Sequence, residues 1–279
     1  VRSQINSHSF KRAIATKTIH VILRLDSISL PKVVCFVLNF KSPNFFPPPM
    51  KQGIRDIFDR IAPVYDQLND RLSLGQHRIW KEMTVKWSGV KPGDTCLDLC
   101  CGSGDLTFRL ARRAGIAGRV YGVDFSNNLL NAAKNRQKLS QNPYSITWTE
   151  ADVLSLPFAD DQFDVVTMGY GLRNVTDITR SLQEIYRVLK PGGRAAILDF
   201  HRPDDHIWRT FQQWYLDYLV VPLATNLGVR EEYAYISPSL QRFPRGKEQV
   251  ALARQVGFVN AVHYPISNAM MGVLVIVVP

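Results

Sequence analysis

Three carboxylates follow short apolar runs in this chain, and the first leads directly into a glycine-rich loop. Asp98 opens the stretch Asp98-Leu-Cys-Cys-Gly-Ser-Gly104. Asp124 comes twenty residues beyond Gly104, and Asp152, with Val153 beside it, follows a third apolar run. Gly102 and Gly104 let the backbone turn tightly and approach a ligand, and a helix starting after them points its N-terminus into the same space. An acid closing the second strand can accept hydrogen bonds from both ribose hydroxyls, and an acid at the end of the third can receive an adenine amino group. A dinucleotide fingerprint would need glycine at the sixth position of the loop, where this chain has Thr107. A diphosphate is also repelled by carboxylates, and Asp98 and Asp105 crowd this loop. A cationic sulfonium with an amino group tolerates them. The residues therefore predict an S-adenosyl-L-methionine-dependent methyltransferase. The spacing by itself also admits a Rossmann-like domain that binds or assembles without catalysis.

These residues require a scaffold that brings strand ends together, and the hydrophobic pattern supplies one. Ile54, Ile57, Phe58 and Ile61 recur at helical spacing until Pro63, and Ile79, Trp80, Met83 and Trp87 do so until Gly89. Beyond the turn at Lys91-Pro-Gly-Asp94, strands are expected at 95–99, 119–123, 146–150, 163–168 and 194–200. Helices are expected between them at 106–114, at 127–139 with Ser126 as N-cap, and through Leu182 to Leu189, stopping at Lys190-Pro-Gly-Gly193. An aromatic-rich helix follows at 207–221, then a polar loop, a helix at 248–256, and strands near 259–264 and 272–278. Alternating strands and helices predict an α/β fold of the class I methyltransferase, Rossmann-like type. Its mostly parallel seven-stranded sheet would end in a C-terminal antiparallel hairpin, because the last two strands have no helix between them.

Charge and cysteines narrow the function classes. Of the formal net charge of +10, residues 1–50 carry +6, with seven Lys/Arg against Asp26, leaving +4 for the other 229 residues. So small a surplus is a solvated surface, and no nucleic-acid partner is expected. Residues 1–50 are basic, hydroxyl-rich and almost free of acid, and their longest apolar run, 33–40, is too short to span a bilayer. Met50 stands just before the first periodic segment. Two readings stay open for 1–50, a transit segment or a leader outside the protein, with residues 51–279 as the methyltransferase domain. Adjacent Cys100 and Cys101 bridge each other only with strain, and no cysteine or histidine cluster has metal spacing. Neither a disulfide framework nor a metal is expected, and Cys96, Cys100 and Cys101 are read as small packing residues.

The amino-methylating signature Asn-Pro-Pro-Tyr is absent, and the corresponding strand end is Met168-Gly-Tyr-Gly-Leu-Arg-Asn174. That stretch belongs to a set of motifs. Phe58-Asp-Arg-Ile-Ala-Pro-Val-Tyr-Asp66, Leu72-Ser-Leu-Gly-Gln-His-Arg-Ile-Trp80, Gly171-Leu-Arg-Asn-Val175 and Tyr186-Arg-Val-Leu-Lys-Pro-Gly192 resemble the ubiquinone/menaquinone biosynthesis C-methyltransferase family. The resemblance runs from residue 54 to residue 278. Asp98 to Leu106, Met168 to Gly171 and Val220 to Thr225 are most similar to chloroplast members of that family, whereas Ser237-Pro-Ser-Leu-Gln-Arg-Phe-Pro244 is closer to bacterial ones. The resemblance implies cofactor contacts at Ser103, Asp124, Asp152, Val153 and Gly169, to which the loop adds Asp98, Gly102 and Gly104.

It also implies a substrate, a prenylated naphthoquinol lacking its ring methyl group, and a chloroplast location. The alternative within the family is a mitochondrial enzyme acting on a benzoquinol. A ring carbon must attack the methyl group, so the ring has to be made electron-rich by ionising a neighbouring hydroxyl. Arg173 and Asn174 are the candidates to assist, supported by Tyr65, His77 and Tyr170. Arginine stays protonated, so Arg173 would stabilise the developing oxyanion or orient a water rather than act as a base. Its bland reading is an ion pair with Asp177 or Asp152, and that of His77 is helix packing. Trp208, Phe211, Trp214, Tyr215 and Tyr218 suit either a helix packed on the sheet or peripheral membrane contact. With the 54–61 helix they would form a lid. The sequence sets no oligomeric state.

Overall fold

The computed structural model describes residues 70, 73, 75–225, 236–267 and 269–279. The 1–50 segment, the expected 54–61 helix, Cys35 and Tyr65 lie outside the described residues. Helix α1 (Gln76–Ser88) ends on Gly89, whose φ of 73° is the left-handed conformation of a helix stop. Its buried face corrects the expected apolar stripe: His77, Lys81, Thr84, Val85 and Ser88 are buried, whereas Ile79 is 58% exposed. Thr84 and Ser88 hydroxyls are satisfied by the carbonyls of Trp80 and Val85 in the same helix, which lets polar residues occupy that face.

Strands β1 (Thr95–Leu99), β2 (Arg119–Asp124) and β3 (Ser145–Glu150) alternate with α2 (Asp105–Ala114) and α3 (Asn127–Leu139). Ser126 caps α3 as expected, its hydroxyl accepting from Leu129 N at 3.2 Å. Strand β4 (Phe163–Gly169) leads through a 3-10 turn (Leu172–Asn174) to α4 (Ile178–Val188). Strand β5 begins at Leu189 and ends at Phe200, five residues earlier than its expected start. Lys190-Pro-Gly-Gly193 does not end the strand: Phe163 pairs with Leu189 and Val165 with Arg194, so these four residues form an irregularity within it.

Helix α5 (His206–Tyr215) is capped by Asp205, widens into a π turn at Leu216–Val220 and continues as α6 (Val221–Thr225). Pro222 lacks an N–H to give the preceding turn, and the wide turn stands directly before it. The expected polar loop contains a helix, α7 (Ile236–Arg242), with Pro238 in its first turn, where proline is tolerated. Helix α8 (Gly246–Val256) precedes β6 (Asn260–Ile266) and β7 (Met271–Val277).

The sheet order is β3-β2-β1-β4-β5-β7-β6, with β7 antiparallel to both neighbours and every other pairing parallel. Successive strand residues face opposite layers. Leu97 and Leu99 join Phe163, Met168, Leu182 and Ile185 in one core, while Cys96 packs with Leu106, Leu110 and Val120 in another. Chain order reverses at β1 and β4, so a crevice opens beyond their carboxyl ends.

Candidate active site

The loop after β1 is built on alternate left-handed residues, Cys100 (φ 52°), Gly102 (φ 54°) and Gly104 (φ 85°). Gly104 has a second constraint, since a Cβ there would lie 2.6 Å from the ring of Trp148. A Cβ on Gly122 would meet the same indole at 2.6 Å. The ring is fixed by Nε1 donating to Gln137 at 2.7 Å and by an edge contact with Phe108. Trp148 is thus a floor for the glycine loop. No sequence motif reports it.

The acids take different roles. Asp124 is 5% exposed, and its carboxylate accepts from Gly102 N and Ser126 N, each at 2.9 Å. These two bonds orient it at the loop, where a ribose diol would need an acceptor. Asp152 is exposed and accepts from Leu154 N. It stands in the turn two residues past β3, whose last residue is Glu150, which corrects its expected position at the strand end. Val153 and Ser103 are buried beside these turns, and Gly169 is the last residue of β4.

Asp98 lies beneath the loop. It has no exposed surface, and its oxygens accept from Thr107 at 2.6 Å and Thr167 at 2.8 Å. Burial pushes its carboxyl up to about 7, against the two threonine hydroxyls. Asp98 therefore braces β1 against α2 and β4 from below the loop.

Asp105, read from sequence only as a charge near the loop, is the hub of a cation cluster. Lys81 from α1 donates to it at 2.8 Å, with Arg136 at 3.3 Å and Arg109 at 3.7 Å. Burial raises the Asp105 carboxyl, but the three cations outweigh burial and bring it to about 2. Lys81 also lies over the Tyr170 ring, 5.9 Å from its centroid. The only signal in the sequence was the need of a first-turn acid for partners.

At the end of β4, Tyr170 adopts φ 60°, a costly conformation for a non-glycine residue and one concentrated at functional sites. Its carbonyl accepts from Asn174 Nδ2 at 3.0 Å. Gly171 follows, packed so closely on Cys100 that a Cβ would sit 2.6 Å from Sγ, which joins this turn to the glycine loop. Arg173 Nη1 donates to Asn174 Oδ1 and to Ser239 Oγ of α7, both at 2.9 Å. Its guanidinium lies over Phe200, 5.4 Å from the ring centroid.

The partner of Arg173 is neither Asp177 nor Asp152. Asp177 caps α4, Asp152 serves its own turn, and the ion pair goes to Asp199 at 3.3 Å. Asp199, which the sequence reading missed, is a buried carboxylate near the end of β5. Of the remaining candidates, His77 is buried on α1 with Nδ1 2.8 Å from Ser73 Oγ and Nε2 3.5 Å from Asp70, a packing arrangement within that helix start. Cys96 and Cys101 are buried free thiols in and after β1, and Cys100 is half-buried there.

The cradle thus combines a sterically fixed glycine loop, an oriented Asp124, an exposed Asp152 and a row of carboxylates that suits a cation and repels a diphosphate. These residues fit S-adenosylmethionine. Residues 49–277 match the ubiE/COQ5 methyltransferase family. The chain belongs to this family. It is 72% identical over 227 residues to 2-phytyl-1,4-naphtoquinone methyltransferase of Trichormus variabilis, covering 81% of this chain and 99% of that one. It is 52% identical over 223 residues to the chloroplastic 2-phytyl-1,4-beta-naphthoquinone methyltransferase of Arabidopsis thaliana, covering 79% and 85%. Among solved structures, a SAM-dependent methyltransferase from Aquifex aeolicus shares the fold, with a TM-score of 0.53 at 18% identity over 71% of this chain and 89% of that one. As a ubiE/COQ5 methyltransferase, the chain uses S-adenosylmethionine as its methyl donor.

Proposed function

We propose that this methyltransferase transfers a methyl group to a ring carbon of a prenylated naphthoquinol that lacks it, completing the ring of phylloquinone. The observation that carries the reading is the buried Arg173, read together with the acceptor named for the 72% identical relative. When bound, the cofactor supplies an electrophilic methyl group. The chain must make the acceptor carbon nucleophilic, which an ionised ring hydroxyl does and an oxidised quinone does not.

Arg173 is suited to hold that oxyanion. Nη1 is committed to Asn174 and Ser239, Nε is buried against Asp199, and among the described residues Nη2 makes no hydrogen bond. Donors held ready for a developing negative charge are worth about 10²–10³ in rate. Asn174, tied to Tyr170 O, keeps the turn in register beside them. Asp124 and Asp152 receive the ribose and adenine, and Gly102, Ser103, Gly104, Val153 and Gly169 line the same cradle.

The prenyl chain calls for an apolar surface. Trp208, Phe211, Trp214 and Tyr218 form a continuous row of ring contacts along α5 and its π turn, at 6.0, 5.9 and 6.4 Å between centroids. Trp208 is 42% and Phe211 44% exposed, which supports peripheral contact with a lipid surface. Among the described residues no helix is long and apolar enough to cross a membrane. The basic segment 1–50 and the chloroplastic Arabidopsis relative support a plastid location, with 51–279 as the catalytic domain.

The test is incubation of the chain with labelled S-adenosylmethionine and chemically reduced demethylphylloquinol or demethylated benzoquinol. Label on the naphthoquinol supports the proposal, and label confined to the benzoquinol replaces it with the mitochondrial reading. Flotation with liposomes tests the aromatic row: Trp208→Ser with Phe211→Ser is expected to remove flotation without lowering turnover on a short-chain quinol.

A further inference from the structure

Arg173 presents a problem that its catalytic role does not solve. Its side chain is 9% exposed, and a guanidinium buried that far is costly without a counter-ion. A carboxylate gripping it in the usual bidentate fork would supply the charge but consume the donors an oxyanion needs. We propose that Asp199 is a positioning residue that balances the Arg173 charge and fixes its orientation while leaving the Nη2 donor for the acceptor.

Three observations carry this. First, Asp199 Oδ1 lies 3.3 Å from the buried Nε, so the carboxylate meets the charge on the inner edge of the guanidinium, and with Nη1 held by Asn174 and Ser239 it leaves Nη2 uncommitted among the described residues. Second, the carboxylate is anchored through the backbone. Oδ2 accepts from Arg173 N at 3.0 Å and Oδ1 from Phe200 N at 2.8 Å, so it joins the 3-10 turn to the end of β5 independently of the guanidinium. Third, the opposite end of the guanidinium is fixed by Ser239, which is 1% exposed and whose own hydroxyl donates to Ile236 O at 2.7 Å. Phe200 beneath and Ser239 beyond set the plane, and Asp199 sets the charge. Burial raises the Asp199 carboxyl, and the facing Arg173 charge and the backbone donors counter that rise.

The inference rests on the reading of Arg173 as the oxyanion-binding group, and a double-mutant cycle separates the two. Single-turnover rates on reduced demethylphylloquinol and S-adenosylhomocysteine affinities would be measured for the full chain as wild type, Arg173→Met, Asp199→Asn and the double variant. Arg173→Met is expected to lower the rate about 100-fold. Asp199→Asn alone is expected to lower it about tenfold with cofactor affinity within about twofold of wild type, and to cost under about twofold when Arg173 is already Met. Equal losses in both backgrounds would make Asp199 an independent structural residue and overturn the proposal, as would a wild-type rate in Asp199→Asn. Should Asp199→Asn alone fail to fold, the comparison between the double variant and Arg173→Met still decides. A folded double variant with the rate of Arg173→Met supports positioning, and an unfolded one overturns it. A wild-type rate in Arg173→Met would remove the oxyanion reading first.

Discussion

Gly104 shows how narrow the tolerance is at single positions in this cradle. Its left-handed φ disfavours any side chain, and the Trp148 ring occupies the space a Cβ would need. Gly104→Ala is expected to weaken S-adenosylhomocysteine binding at least about tenfold by calorimetry, with the loop displaced from the indole. Lys81 gives a second prediction at this scale. The depressed Asp105 carboxyl contributes stability that is present above the unfolded value near 4 and is lost as pH falls through about 2. Lys81→Met should therefore cost roughly 1–2 kcal/mol in denaturant unfolding at pH 7, and the deficit should close below pH 4. An equal deficit at pH 3 and pH 7 would assign the loss to packing instead.

Motif spacing singled out Asp124, Asp152 and the glycines as candidates, because a ligand dictates where such groups stand along the chain. It could not locate Lys81, Asp199 or Trp148. Their partners lie 24, 26 and 11 positions away, respectively, in Asp105, Arg173 and Gln137, and only the folded sheet brings them together. The two threonine partners of Asp98 were hidden for a related reason. A strand-end acid that faces a ligand and one that braces the strand look alike until the threonines are seen.

Elements with strong periodicity were legible, and those set by tertiary contact were not. Strands β1 to β4 fall within one residue of their expected limits because alternation or an unbroken apolar run marks them. α7 was hidden because Ser237-Pro-Ser reads as a loop, yet Ser239 becomes helical with its hydroxyl held by Ile236 and Arg173. The Lys190–Gly193 stretch looked like a terminus because Pro-Gly-Gly usually is one.

The β6–β7 hairpin makes its own prediction. His263 on β6 packs against His201 at 5.0 Å between ring centroids, and a Cβ on Gly272 would collide with its ring. Burial, with the neighbouring His201, holds the His263 imidazole down to about 4. A depressed histidine destabilises the fold as pH falls, because the unfolded chain takes the proton first. Between pH 6.5 and pH 4 the wild type should lose on the order of 2 kcal/mol more than His263→Leu in denaturant titrations.

Across the molecule, the strand order divides the labour. The β3-β2-β1 half carries Asp124 and Asp152, the acids proposed for the cofactor, and the β4-β5 half carries Arg173, Asn174 and Asp199. Changes in the two halves should therefore separate in kinetics. Asp124→Asn is expected to weaken S-adenosylhomocysteine binding about tenfold or more, through lost charge-assisted hydrogen bonds. Arg173→Met should leave that affinity unchanged while lowering turnover, and a cofactor defect in Arg173→Met of similar size would refute the division. The mostly parallel sheet and the hairpin at its end were legible because strands alternate with helices along the chain until the last two, which have no helix between them.

The pairing of Arg173 with Asp199 has a consequence for how such chains diverge. Losing the arginine first strands a buried carboxylate, and losing the aspartate first strands a buried guanidinium, so either single step is penalised. The two positions should therefore change together or not at all. A descendant in which both have become apolar would keep its sheet and its donor cradle but would have abandoned quinol methylation.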